Sequence, residues 1–293
     1  MLDLTDSANN TLRGIVFMLL AVASWSAMTV LVRALTADYT SFQILFVRTL
    51  VGVAIMTPLF TRRGVAFLRT RRFPLQIGRA LFAYFGMLGL FIGIAEIPLA
   101  DVISLSFTQP IFIVVMAALL LGERFGAPRL VATVGGFAGV LTIVRPGFEE
   151  VGFGALMVLG GAICYAGSNI CIKKLMSTDN PAATTAWVNI IMCPLAAVPG
   201  LIWWVPPSAV DWLLLAGVGA TGTMGVFFVA RAYANADMSA VVPFDFLRLP
   251  IVATAAWLLF SEGTDVWTLT GAAVIFASTW YLAAAESRKR ETR

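Results

Sequence analysis

Ten apolar stretches, each near 20 residues, take up most of this chain. A water-soluble core has no use for so many. A bilayer does, because about 20 apolar residues in a helix cross roughly 30 Å of hydrocarbon. The stretches cover 14–32, 41–60, 76–95, 100–121, 129–145, 153–172, 184–204, 211–230, 239–260 and 266–285. Lipid offers no partner to a bare peptide group, so each is expected to be a helix. The expected fold is an all-α polytopic membrane protein with ten transmembrane helices. Composition agrees, with 59% of the 293 residues apolar and 12% charged. That balance lies far from soluble averages.

The charges are sorted by side. If the N-terminus is cytoplasmic, one side receives Arg13, Arg62, Arg63, Arg69, Arg71, Arg72, Arg124, Arg129, Lys173, Lys174, Arg231, Arg288, Lys289, Arg290 and Arg293. The other side receives Arg33 and Arg145, and Arg48, Arg79 and Arg248 fall within spans. A bias of 15 to 2 puts both short tails, 1–13 and 286–293, in the cytoplasm. Asp3 and Asp6 precede a full-length first stretch, so the start reads as a span and not as a cleavable signal. The basic clusters read as topology anchors beside a plasma membrane of the bacterial inner type, not as a nucleic-acid surface.

The chain also repeats itself. Ala100-Asp101 precedes the fourth span and Ala236-Asp237 the ninth, an offset of 136. The fourth span ends Leu-Leu-Leu-Gly-Glu at Glu123 and the ninth Leu-Leu-Phe-Ser-Glu at Glu262; Gly135 and Gly271 again stand 136 apart. Two sets of five spans follow, 14–147 and 152–285. Five is odd, so the second set enters the membrane from the opposite side, an inverted repeat of the kind many secondary transporters carry. Asp101 and Asp237, each at a helix start, read first as caps.

Several chemistries are excluded. The chain has no histidine, which removes Ser-His-Asp, Cys-His and His-based zinc sites. Cys164, Cys171 and Cys193 lie inside spans without a C-x-x-C, so no metal site or disulfide framework is expected. Gly217-Val-Gly219-Ala-Thr-Gly222 matches G-x-G-x-x-G. It sits within span eight without the strand a dinucleotide site needs, and reads as a helix-packing face. No P-loop exists, and no cofactor is expected.

Prolines and buried charges point to a site instead. Pro110 lies in span four; Pro243 and Pro250 lie in span nine. Each removes a helical donor and frees a carbonyl four residues earlier. Broken helices at corresponding places in two halves are the best sequence pointer to a transport site. Charges at membrane depth cost about 2.5–3.5 kcal/mol on insertion scales and seldom face lipid. Arg48 lies in span two, while Asp245 and Arg248 lie mid-span in nine, three residues apart. Asp245 and Arg248 are placed to pair with each other; in the alternative, Arg248 or Arg48 meets a solute anion, while Asp245 meets a solute amine or carries a proton. Trp25, Tyr84, Phe107, Gln109, Tyr165 and Asn169 are candidates to complete the pocket. Trp25 and Tyr165–Asn169 occupy similar depths in the first helix of each half.

Arg48, the stretch Ala100-Asp101 through Pro110 to Leu121-Gly122-Glu123, the run Gly135–Gly139 and Arg145-Pro146-Gly147 resemble the drug/metabolite transporter superfamily in its EamA-domain branch. The resemblance is closest in the first half. Phe260-Ser261-Glu262 keeps the family's Glu but not the usual Gly before it. It implies a ten-helix inverted repeat with a central cavity, carrying small organic solutes by alternating access, in export or in uptake of compounds such as riboflavin or S-adenosylmethionine. The expected function is thus secondary transport of a small amino-acid-like, vitamin- or cofactor-like or drug-like metabolite, by a monomer or homodimer in the bilayer. A membrane-embedded enzyme or lipid-handling protein is the alternative, and it would need a catalytic constellation that these residues do not form. A channel is a third reading, against which the internal duplication argues.

Overall fold

The computed structural model describes residues 2–63, 68–109, 111–113, 115–116, 127–145, 152–175, 178–179, 181–235 and 242–291. These residues hold ten α-helices and no strand. They are α1 (Leu2–Leu35), α2 (Ser41–Arg63), α3 (Phe73–Glu96), α4 (Leu99–Ser106), α5 (Ala127–Val144), α6 (Phe153–Leu175), α7 (Pro181–Ile202), α8 (Ala209–Asn235), α9 (Arg248–Phe260) and α10 (Val266–Glu291).

Among the described residues six helices are long and apolar enough to cross a membrane, namely α1, α2, α3, α6, α7 and α8. Shorter apolar helices follow at Thr133–Val144 and Val266–Ser278, so the ten spans expected from hydropathy are met in part among the described residues. The stretch read as span four is a short α4 followed by a turn at Phe107 and Thr108. The stretch read as span nine opens with a 3-10 turn, Val242–Leu247, before α9 begins. A 3-10 turn is tighter than an α-helix and its hydrogen bonds are poorer, so it marks strain or a hinge. Pro250 stands in the first turn of α9 with its side chain exposed, and Pro243 lies on the 3-10 turn. Pro110, Glu123 and Asp237 lie outside the described residues.

The helices pair in a regular pattern. The most extensive contacts are α3 with α6 and α1 with α8, followed by α5 with α10 and α2 with α7. Smaller contacts join α2 to α8, α3 to α7, α4 to α9, α4 to α6 and α1 to α9. Advancing every helix number by five, and counting on from α1 after α10, leaves this pattern unchanged.

Between helices in lipid, apolar burial supplies little drive, so association rests on close fit. Glycine provides it here. A Cβ on Gly89 of α3 would lie 2.3 Å from the Met157 carbonyl oxygen of α6, and one on Gly161 would lie 2.8 Å from the Gly86 oxygen. In α5 and α10 the relation is reciprocal: Gly139 would meet the Gly271 oxygen at 2.8 Å, and Gly271 the Gly139 oxygen at 2.7 Å. The G-x-G-x-x-G run packs as its place in a span suggested. Gly217 lies against Leu31, Gly219 against Val51 and Gly222 against Met28 and Arg48. The outward surface is apolar, with Leu213, Trp257, Leu258, Leu259 and Val210 all exposed.

Gly89→Ala is expected to force α3 from α6 and to lower stability by about 1–3 kcal/mol, the usual scale of overpacking. Gly160, on the same α6 but with nothing within 4 Å of an added methyl, is the control: Gly160→Ala leaves the melting temperature unchanged or slightly raised. Thermal unfolding of the two variants in detergent checks both.

Candidate functional site

The breaks in α4 and α9 meet. The Phe107 ring, at the turn ending α4, lies 4.6 Å from the Phe246 ring in the 3-10 turn, centroid to centroid. Phe246 in turn stands edge-on to Phe276 of α10 at 4.5 Å. Beside this aromatic row begins α9 with Arg248. Its guanidinium carbon lies 5.8 Å from the Phe107 centroid and 5.9 Å from that of Trp25 in α1, within cation–π range. Trp25 is placed by Gly225 of α8, where a Cβ would come within 2.4 Å of the indole.

Arg48 approaches from α2. It is 6% exposed, and its Nε has no hydrogen-bond partner. Gly222 of α8 makes room for it, since a Cβ there would stand 3.1 Å from Nε. Tyr165 of α6 packs on Gly86 of α3 and lies within electrostatic reach of both Arg48 and Arg248. Asp245 feels the charge of Arg248, yet no ion pair joins the two, and the Asp245 Oδ1 is buried without a partner. The pairing that their spacing allowed is not what forms; the guanidinium turns to the two rings.

The structure therefore gathers Trp25, Arg48, Phe107, Tyr165, Asp245 and Arg248 into one region. It does not bring the other candidates to the arginines. Tyr84 is buried in the main apolar core, edge-on to Phe85 at 5.3 Å. Gln109 and Asn169 are half-buried, and no contact ties them to the charges. Phe246 was not foreseen as a wall residue, nor was Gly222. The signal for Phe246 was its place two residues before Arg248 in a proline-flanked segment. A hollow of about 380 Å³ adjoins the cluster, lined by Phe107, Phe246, Leu247, Leu249, Leu269 and Phe276 among others.

Polar contacts join helices at both ends of the bundle. At the end carrying the α1–α2, α3–α4 and α9–α10 loops, Arg33 pairs with Glu262. The Leu99 N–H donates to the second Glu262 oxygen at 2.9 Å, so Glu262 caps α4. Arg33 also donates to the Ile94 carbonyl. Thr268 donates to Asp101, Arg145 pairs with Asp265 at 3.0 Å, and Tyr39 donates to Asp211 at 2.8 Å. Apart from the Arg33–Ile94 bond, each of these links joins a residue before position 147 to one after 152. Asp101, read from sequence as a cap, thus serves as an acceptor for α10.

At the other end Asp179 accepts from Thr70 and, at 2.9 Å, from Gln76. Burial works against its charge. Hydrogen bonds from Thr70, Gln76 and Thr178, with the Arg72 charge, outweigh that and hold the carboxyl below its usual range. Arg79 donates to the Thr184 carbonyl.

Comparison with known proteins agrees with this architecture. The model of the EamA-like transporter family matches twice, over residues 12–145 and 152–284, and the chain belongs to that family. It is 31% identical to a riboflavin transporter of Rhizobium johnstonii, over 95% of this chain and 90% of that protein. It is 29% identical to an S-adenosylmethionine uptake transporter of Rickettsia felis, over 99% and 100%. It is also 29% identical to a pseudopaline exporter of Pseudomonas aeruginosa, over 89% and 93%. A crystal structure superposes with a TM-score of 0.65 over 95% of this chain and 98% of its own at 18% identity, a likeness of fold alone. The protein is a multi-pass membrane transporter of small molecules and not an enzyme.

Glu262→Ala removes both the partner of Arg33 and the cap of α4. With Glu262 only 14% and Arg33 23% exposed, it is expected to cost about 1–3 kcal/mol. Asp265→Ala, at a site 46% exposed, is expected to cost under about 1 kcal/mol. Denaturation of the two variants side by side measures the difference.

Proposed function

We propose that this chain is a secondary transporter that carries a small vitamin- or cofactor-like metabolite by alternating access around the residues where α1, α2, α4, α6 and α9 converge. The observation that carries the reading is the meeting of two broken helices, α4 and α9, at Phe107 and Phe246, beside Arg48, Arg248 and Tyr165. Irregular backbone at membrane depth is tolerated where it lines a cavity. Half-helices of this kind form transporter sites at the interface of two repeats. A helix pairing that survives exchange of the halves, with a family match in each half, supports two inverted five-helix repeats, 14–147 and 152–285. The charge bias supports cytoplasmic tails in a bacterial inner membrane.

In this reading Trp25, Phe107 and Phe246 hold a flat organic body, and the arginines and Asp245 select its charge. The adjoining apolar hollow takes the less polar part of the solute. The links at the Arg33–Glu262 end form the closed gate. For the opposite face to close and this one to open, those cross-half bonds must break together. They are few and partly exposed, so exchange between the two states is a matter of a few polar contacts. Relatives named for riboflavin and for S-adenosylmethionine make those two compounds the first solutes to try.

The test is counterflow in proteoliposomes, with the purified chain as the only protein. Saturable uptake of a labelled solute, accelerated by unlabelled solute inside, is expected for at least one of the two or a close analogue. Arg248→Ala and Asp245→Asn are each expected to lower the rate at least about tenfold, which corresponds to 1.4 kcal/mol. Flux that never saturates would point to a channel. Unchanged rates in both variants would remove the site from this region.

A further inference from the structure

We propose that Arg48 is the anion anchor of the transport site: it receives the carboxylate or phosphate of a transported acid, while Arg248 is a cation held in place by rings. The proposal rests on the transporter reading and assigns the chemical class of its solute.

The argument begins with how each buried arginine is satisfied. Arg33 has Glu262, Arg145 has Asp265, and Arg79 donates to the Thr184 carbonyl. Arg248 lies on the faces of Trp25 and Phe107 and feels Asp245. Arg48 differs from all of them. It lies in the middle of α2, almost wholly buried, and has no hydrogen bond and no ion pair among the described residues. A charge taken out of water without a partner is among the costliest arrangements a protein can hold. At membrane depth such a residue marks a substrate or ion pathway.

Glycines of α8 set the position of the guanidinium. Gly222 stands opposite the guanidinium, and any side chain there would press on Nε and Nη2. Gly219, one helical turn away on α8, lets α8 approach the Arg48 carbonyl, where its Cβ would lie 3.2 Å off. The guanidinium offers a planar fork of donors that matches an oxyanion in two places at once. Arg248 cannot serve equally. Its charge is already spread over two aromatic faces and balanced in part by Asp245, so its work is to fix the broken end of α9 and the aromatic wall. The two arginines thus divide the task, with Arg48 reading charge and Arg248 building the wall.

The test uses pairs of flat compounds that differ in charge: riboflavin 5′-phosphate with riboflavin, nicotinate with nicotinamide, and indole-3-acetate with indole-3-acetamide. Binding is read as ligand-dependent thermal stabilisation of the full chain in nanodiscs. In the wild type the acid of at least one pair is expected to bind about tenfold or more tighter than its neutral partner. Arg48→Gln is expected to bring that ratio to within about twofold of unity, Arg48→Lys to keep part of it, and Gly222→Ala to weaken the acid while sparing the neutral partner. The last two keep the site's charge, so they remain informative if Arg48→Gln fails to fold. Arg248→Gln is expected to weaken acid and neutral compounds alike and leave their ratio standing. The proposal is overturned if no acid outbinds its partner in the wild type. It is also overturned if the preference survives Arg48→Gln, or disappears in Arg248→Gln alone. Counterflow of the neutral members without the acids would leave transport standing and remove only the anchor.

Discussion

Helices in lipid come together through fit, and in this protein that fit is made by missing side chains. The α3–α6 and α5–α10 seams each contain a pair of glycines whose absent methyls would sit inside the neighbour's backbone. On α8, glycines at 217, 219, 222 and 225 make room for side chains of α1 and α2. Everything else depends on these seams. They bring Trp25 and Arg48 to one level, set Tyr165 on Gly86, and leave the broken α4 and α9 to face each other across the middle. A looser bundle would let water or lipid reach the arginines, and their selectivity would be lost.

Much of this was legible in the amino-acid order. Apolar length located α2 within a few residues, from 41–60 in the sequence to Ser41–Arg63 in the structure. The prolines marked the segments that prove irregular, and the rarity of charge at depth singled out Arg48, Asp245 and Arg248. What stayed hidden was mutual register. Apolar residues surround these helices on all sides, so hydropathy does not say which face of α4 meets which face of α9. Phe246 escaped notice for that reason, and Gly222 was legible as part of a packing face but not as the neighbour of Arg48. The local spacing of Asp245 and Arg248 suggested a pair that tertiary packing against Trp25 and Phe107 overrides.

The relatives sharpen the division between frame and cavity. Proteins named for riboflavin, S-adenosylmethionine and pseudopaline align with this chain along nearly its whole length. In this chain the glycine seams and end contacts build the frame without reference to any cargo, and in the proposed reading selectivity falls to a handful of side chains at the centre. One architecture can host many functions when these rest on a grafted site.

Arg33 and Glu262 stand far apart in the order of synthesis. The arginine leaves the ribosome with the first helix, while its carboxylate partner follows only with the last hairpin. Through most of translation, then, that cation waits at the bilayer rim with nothing to balance it, and the N-terminal edge of α4 waits uncapped beside it. The final hairpin satisfies both at once. Closure at that rim waits for the final hairpin, and a chain that stops before it leaves Arg33 without its carboxylate.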